Sequence, residues 1–244
     1  MAHRSILEIM VEGGYSPKQG MPIPIELVYE SNTISYEEYR VEVDRQRRVN
    51  QASRNAQAIS AEESRAEYLR ERAIRAGVPK RYLDHAIDLT RVRDLDNGRG
   101  IYICGAQGSY KTTTACSMLR GWLHSNPFGM ARFVRSTTLM DDFNDTYSTR
   151  ETVSEVMGQY STVGLLLVDD LGKEVPTPKV VSRLWELFDR RYGNMLPTVV
   201  TSQYAPGDLI HRLSESGDSA SAFAIVSRFR ETYALLDMGR VDHR

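Results

Sequence analysis

The chain has 244 residues, enough for one large domain or for a medium domain with a smaller appendage. Its 31 basic and 32 acidic side chains leave a formal charge of -1, which excludes a strongly basic nucleic-acid-binding protein but permits a local basic groove in a balanced surface. Hydrophobic residues make up 41%, no apolar run approaches the roughly 18 to 20 residues of a membrane helix, and the opening "MAHRSILEIMVEGGYS" lacks a secretory signal; a globular, cytoplasmic protein with no membrane contact is expected.

Residues 1 to about 35 contain "GGYSPKQGMPIPIE", whose glycines and prolines predict a small, partly irregular segment. From Tyr36 to about Ala76 acids and bases lie three or four apart with no Pro or Gly, which predicts helix, in two pieces. "AGVPKRY" stops that helix at Gly77 and Pro79 and sets the expected boundary between a mainly helical N-terminal region, 1–76, and a main domain, 77–244. Beyond it "GIYIC", "ARFVR", "VGLLLVDD", "LPTVVTS" and "TYALLDM" read as five strands separated by longer amphipathic segments. That alternation predicts an α/β domain with a parallel sheet covered by helices. Cys104 and Cys116 lack the clustered spacing of a zinc site and are expected to be buried core thiols.

The first strand runs into "GAQGSYKT" and then the helix "TTACSMLRGWLHS", the order in which a loop wraps its backbone N–H groups round phosphates at a helix N-terminus. There Lys111 would reach the β- and γ-phosphates of ATP or GTP, Thr112 would ligate Mg²⁺, and Gly105 and Gly108 would permit the turn. Tyr110 stands where the pattern has glycine. A non-glycine residue forced to φ > 0 costs about 1 to 2 kcal/mol, roughly tenfold in affinity; at an ordinary helical φ the strain disappears. "GLLLVDDLG" is an apolar strand ending in two acids, with Asp169 placed to hold the metal and Asp170 to orient or deprotonate attacking water; the alternative is a strand that merely ends in a turn. "LPTVVTSQY" brings Thr201 to Gln203 to the carboxyl edge of the sheet, where ligands of open α/β sheets sit. "SRFR" places Arg228 and Arg230 just before the last strand, and Arg244 closes the sequence; arginine stabilises charge on a transferring phosphoryl group, often across a subunit interface.

Taken in order, residues from about 75 to 244 resemble the AAA+ ATPases of the DnaC-type replicative helicase loaders and the related IstB-type transposition helpers. The resemblance rests on "AGVPKRYLD", the phosphate loop, "LLLVDDLG", "DRRYGNMLPTVVTSQY", "VSRFR" and the ending "MGRVDHR". It implies a P-loop AAA+ core with a five-stranded parallel sheet, no C-terminal helical lid, and ATP with Mg²⁺ held between self-associating protomers. Gly105, Ala106, Gln107, Gly108, Ser109, Tyr110, Lys111, Thr112 and Thr113 would bind nucleotide, with Asp169 and Thr112 on the metal and Asp170 as the catalytic carboxylate. By the same resemblance Gln203 sits at sensor 1, Arg228 matches an arginine finger acting on a neighbour's ATP, and Arg244 matches sensor 2. The implied partners are a replicative DnaB-type helicase, gripped by the N-terminal region, and single-stranded DNA, for which Thr137, Thr138, Tyr147 and Arg150 are candidates. The alternatives are a transposition helper that recruits a transposase, and a nucleotide-binding clamp with little hydrolysis.

Overall fold

The computed structural model describes residues 36–145 and 152–239. The chain divides into two compact units between Glu63 and Ser64. The described part of the first is helical and solvated, with Val41, Val49 and Ile59 all exposed. Where two helices were predicted there is one, α1 (Tyr36–Arg75): its 40 residues contain no glycine or proline, and no local signal is present to break it. It stops where the sequence says it should. Gly77 adopts φ 86°, and the N–H groups of Gly77 and Val78 donate to the carbonyls of Ile74 and Ala73, a Schellman cap. The last turns of α1 lie past Ser64 and bury Ala73 in the second unit's core, where Ala76, just after the helix, joins it.

That second unit is a helix–sheet–helix sandwich. In chain order it comprises α2 (Val92–Asp96), β1 (Gly100–Cys104), α3 (Lys111–Ser125), β2 (Ala131–Arg135), α4 (Ser136–Asp145), α5 (Val153–Ser161), β3 (Leu165–Leu171), α6 (Pro178–Gly193), β4 (Thr198–Ser202), α7 (Pro206–Ser214), α8 (Ser219–Thr232) and β5 (Tyr233–Asp237). The sheet has five strands in the order β2-β3-β4-β1-β5, all parallel. The central strands β3, β4 and β1 are buried almost throughout because both faces are covered. Ile101, Ile103, Leu165 and Leu167 meet Ala115, Cys116 and Leu119 of α3 on one face. Tyr102, Leu166, Val168 and Val200 meet Phe143, Leu184, Phe188 and Phe229 on the other. Both cysteines are buried free thiols, as predicted, and burial pushes Cys116 up to about 12.

Two buried arginines tie loops to this frame. Arg191 (1% exposed) donates to Thr198 Oγ1 and to the carbonyls of Tyr160, Val163 and Pro197 at 2.7–2.9 Å, fastening α5 and α6 to the start of β4. Arg120 on α3 donates to the carbonyls of Tyr82 and His85, holding the segment ahead of α2 against the helix that follows the phosphate loop. Among the described residues no helix is long and apolar enough to cross a membrane.

Candidate nucleotide-binding site

The phosphate loop leaves β1 at Gly105, whose φ of 151° and surroundings both call for glycine: a Cβ would stand 2.9 Å from the Gly239 carbonyl oxygen and from Ser109 Oγ. The loop is anchored to the far end of β5, since Ala106 N–H donates to Gly239 O at 3.0 Å and Met238 N–H to Cys104 O at 2.8 Å. Lys111, only 7% exposed, folds back over the loop and donates to the Ala106 carbonyl at 2.6 Å. Tyr110, the residue before it, has φ 60° and ψ 19° and takes the N-cap position of α3. This is the strained alternative of the two foreseen, and its ring is 54% exposed, clear of the core.

Opposite the loop, the two acids of β3 occupy an irregular stretch. Val168 pairs with Val200 but Leu171 pairs with Ser202, so β3 advances one residue further than β4, and Asp170 lies at φ 60°. In a regular strand adjacent side chains point to opposite faces. The bulge re-aims them, and Asp169 and Asp170 both line one cavity. Side chains satisfy the backbone groups that the ladder has lost: Asp170 N–H donates to Thr201 Oγ1 at 2.8 Å, and Ser136 Oγ donates to Asp170 O at 2.8 Å.

Asp169 is 2% exposed. Its Oδ1 accepts from Thr112 Oγ1 at 2.8 Å and from Thr201 Oγ1 at 2.7 Å. Burial pushes its carboxyl above the usual range and the charge of Asp170 adds to this, while the bonds from Thr201 and Thr112 and the Arg135 guanidinium pull it back. Asp170 Oδ2 is paired with Lys173 Nζ at 2.5 Å. The cavity is about 650 Å³, lined by Gln107 to Thr113 of the loop, both acids, Gln203, and Arg81, Tyr82, His85, Arg135, Thr137 and Lys173. Its charged walls hold Arg81, Lys111, Arg135 and Lys173 against Asp169 and Asp170, a cationic excess suited to a polyphosphate. A larger groove of about 1150 Å³ opens along β2, but it carries none of the loop residues and neither of the two acids.

No group of three or more His, Cys, Asp or Glu able to hold a metal occurs among the described residues. The donors at Thr112 and Asp169 are hard oxygens one hydrogen bond apart, which fits Mg²⁺, an ion bound through one or two protein oxygens with phosphates and waters completing its shell.

Neither a protein-family model nor a curated protein sequence matches the chain. Solved structures do. The crystal structure of DnaI shares 20% identity over 65% of this chain and 93% of that one, with a TM-score of 0.53. The DnaC helicase loader gives 21%, 65%, 99% and 0.53, and a protein described as a primosome component of Streptococcus pyogenes serotype M3 gives 18%, 72%, 98% and 0.53. The fold is the AAA+ P-loop fold.

Within this fold the structure gathers Gln107 to Thr113, Asp169, Asp170 and Gln203 round one cavity; Gly105 and Ala106 shape the loop behind it. Arg228 is elsewhere. It lies on α8, paired with Asp189 at 3.0 Å and stacked 4.6 Å from the Tyr192 ring centroid. Arg230 is exposed on the same helix. Of the residues considered for DNA, Thr137 lies on the nucleotide cavity and Thr138 on the β2 groove, while Tyr147 and Arg150, like Arg244, fall outside the described residues. Arg81, Tyr82 and His85, from the segment ahead of α2, also line the cavity. Lys173 and Arg135 carried no signal beyond their charge.

Proposed function

We propose that this chain is an ATP-dependent helicase loader: an ATPase, active on Mg²⁺-ATP, that binds a replicative DnaB-type helicase and single-stranded DNA at the start of replication. The observation that carries the ATPase reading is the convergence on one cavity of Lys111 and Thr112 from the start of α3 and of Asp169 and Asp170 from the end of β3. The loop N–H groups and Lys111 take the β- and γ-phosphates. Thr112 and Asp169 would hold Mg²⁺, which would supply charge neutralisation for the phosphates. Asp170 accepts a hydrogen bond from the attacking water and orients it, and Gln203 lies on the same cavity to hold the terminal phosphate. Arg228, outside its own chain's cavity, is available to a neighbour's ATP in a self-associated assembly, and the N-terminal region 1–76 is the surface offered to the helicase. The β2 groove supports the DNA reading: it is lined by Arg75, Arg132 and Arg135, the positive charge that follows the backbone of a single strand.

The test is steady-state ATPase activity with single-stranded DNA and helicase present, comparing the native chain with Asp170→Asn, together with co-purification with the helicase. Loss of turnover with retained nucleotide binding supports the reading. Equal turnover favours a nucleotide-driven clamp, a second reading for which strained Tyr110 and the Lys173–Asp170 pair speak. Stable capture of a transposase in place of the helicase favours the transposition helper.

A further inference from the structure

We propose that Lys173 is a ligand for the terminal phosphate of a bound nucleoside triphosphate and that it leaves Asp170 to become one. The inference rests on the nucleotide-binding reading above and deepens it, assigning the distinction between triphosphate and diphosphate to a residue just beyond β3.

Three observations carry it. First, Lys173 Nζ is 2.5 Å from Asp170 Oδ2, and both residues line the cavity that holds Lys111, Thr112 and Gln203. Second, the backbone under Lys173 is fastened on both sides. Lys173 N–H donates to Asp170 O at 3.1 Å, and Gly172 N–H donates to both carboxylate oxygens of buried Glu174 at 3.1 and 3.0 Å. Arg212 of α7 reaches across to the carbonyls of Gly172 and Glu174, each at 3.0 Å. With the turn pinned, rotation of the Lys173 side chain alone carries the ammonium between partners. Third, the side chains of the pair are 48% and 27% exposed, so the ion pair is weak, and a terminal phosphate carrying about two negative charges competes well against one carboxylate.

The exchange has a direct consequence. With a triphosphate bound, Lys173 moves to the γ-phosphate and the Asp170 carboxylate is released to accept from water; with a diphosphate it stays on Asp170 and the carboxylate remains masked. Turnover is thereby tied to the ligand that can be turned over. No bond is made or broken and no proton moves in this step.

The experiment measures equilibrium affinities of the full chain for a triphosphate analogue with a non-hydrolysable β,γ-bridge and for ADP, both with Mg²⁺, in the native chain and in Lys173→Met, Lys173→Arg, Asp170→Asn and the Lys173→Met/Asp170→Asn double variant. Lys173→Met is expected to lose about tenfold in affinity for the triphosphate, the scale of one charge-assisted contact, with ADP unchanged. Lys173→Arg restores most of that loss. Asp170→Asn, which removes the competing carboxylate, strengthens triphosphate binding, and the gain vanishes in the double variant. Equal effects of Lys173→Met on both nucleotides, or no effect on either, overturn the proposal while leaving the nucleotide site intact. A native chain that binds neither nucleotide refutes the underlying reading, and this one with it.

Discussion

Thr201 is the keystone of the acidic half of the site, and Thr201→Val isolates its hydroxyl at nearly constant volume. That oxygen donates to Asp169 Oδ1 at 2.7 Å and accepts from Asp170 N–H at 2.8 Å. Valine leaves a buried carboxylate short of one donor and the bulge N–H without an acceptor. A hydrogen bond to a charged group contributes about 1.5–3 kcal/mol, and an unsatisfied buried N–H costs about 1–3 kcal/mol, so a loss of about 3–5 kcal/mol is expected. For a unit of roughly 150–250 residues that is a fall in Tm on the order of 10 °C. The loss has a pH signature. The Thr201 bond is the strongest influence holding the Asp169 carboxyl down against burial, so the variant's Asp169 keeps its proton to higher pH. Once protonated it no longer needs the donor. Urea unfolding followed by far-UV circular dichroism at pH 8 and pH 5 checks this: the native chain should exceed the variant by more at pH 8. A difference below about 1 kcal/mol, or one equal at both values, would refute the role given to this hydroxyl.

Four further outcomes follow from single positions. Tyr110→Gly removes a strain of about 1–2 kcal/mol at φ 60° against a glycine entropy cost of about 0.5–1 kcal/mol; Tm should rise by about 1–4 °C with nucleotide affinity or turnover increased, and a lower Tm would show that the ring makes contacts worth more than the strain. Gly121→Ala places a Cβ 2.0 Å from the Asp88 carbonyl oxygen, so it should destabilise by about 1–3 kcal/mol and weaken nucleotide binding by shifting the segment that carries Tyr82 and His85. Gly158→Ala, with nothing within 4 Å, should instead stabilise α5 by about 0.5–1 kcal/mol; both are read by thermal unfolding. Finally, because burial raises Asp169 in the folded chain, the native state holds this proton to higher pH than the unfolded chain: the stability it contributes is present below the unfolded carboxyl value and lost as pH rises through the folded one. Mg²⁺-dependent nucleotide binding, which needs the ionised form, should run the other way and fade as pH drops through that same raised value.

Much of this was readable in advance because it is written in local patterns. Apolar runs bounded by turns marked all five strands, and the order strand, "GAQGSYKT", helix marked the loop. Gly77 announced the end of α1 through its chemistry as a cap. What was missed depends on neighbours distant in the chain. The bulge at Asp170 exists because Thr201 and Ser136 replace its ladder partners, and neither contact leaves a trace in "VDDLG". Arg81, Tyr82 and His85 reach the cavity because Arg120 and the absence of a side chain at Gly121 let their segment lie on α3, and no periodicity records that. The division of Tyr36–Arg75 into two helices failed for the opposite reason: charge alternation carries no length signal, and without a breaker the helix continues.

The extra residue in β3 also decides which carboxylic acid can serve there. Asp169, in ordinary strand conformation, answers to its oxygens alone. Asp170 must satisfy the backbone as well, and φ near +60° is tolerated by glycine, asparagine and aspartate far better than by longer side chains. Of those three only aspartate is an acid. A glutamate would bring the same functional group with an added backbone cost of about 1–2 kcal/mol and a carboxylate displaced by one methylene. In this chain the shape of the strand, ahead of any demand from the chemistry, restricts the second acid to the shorter of the two residues that nature offers.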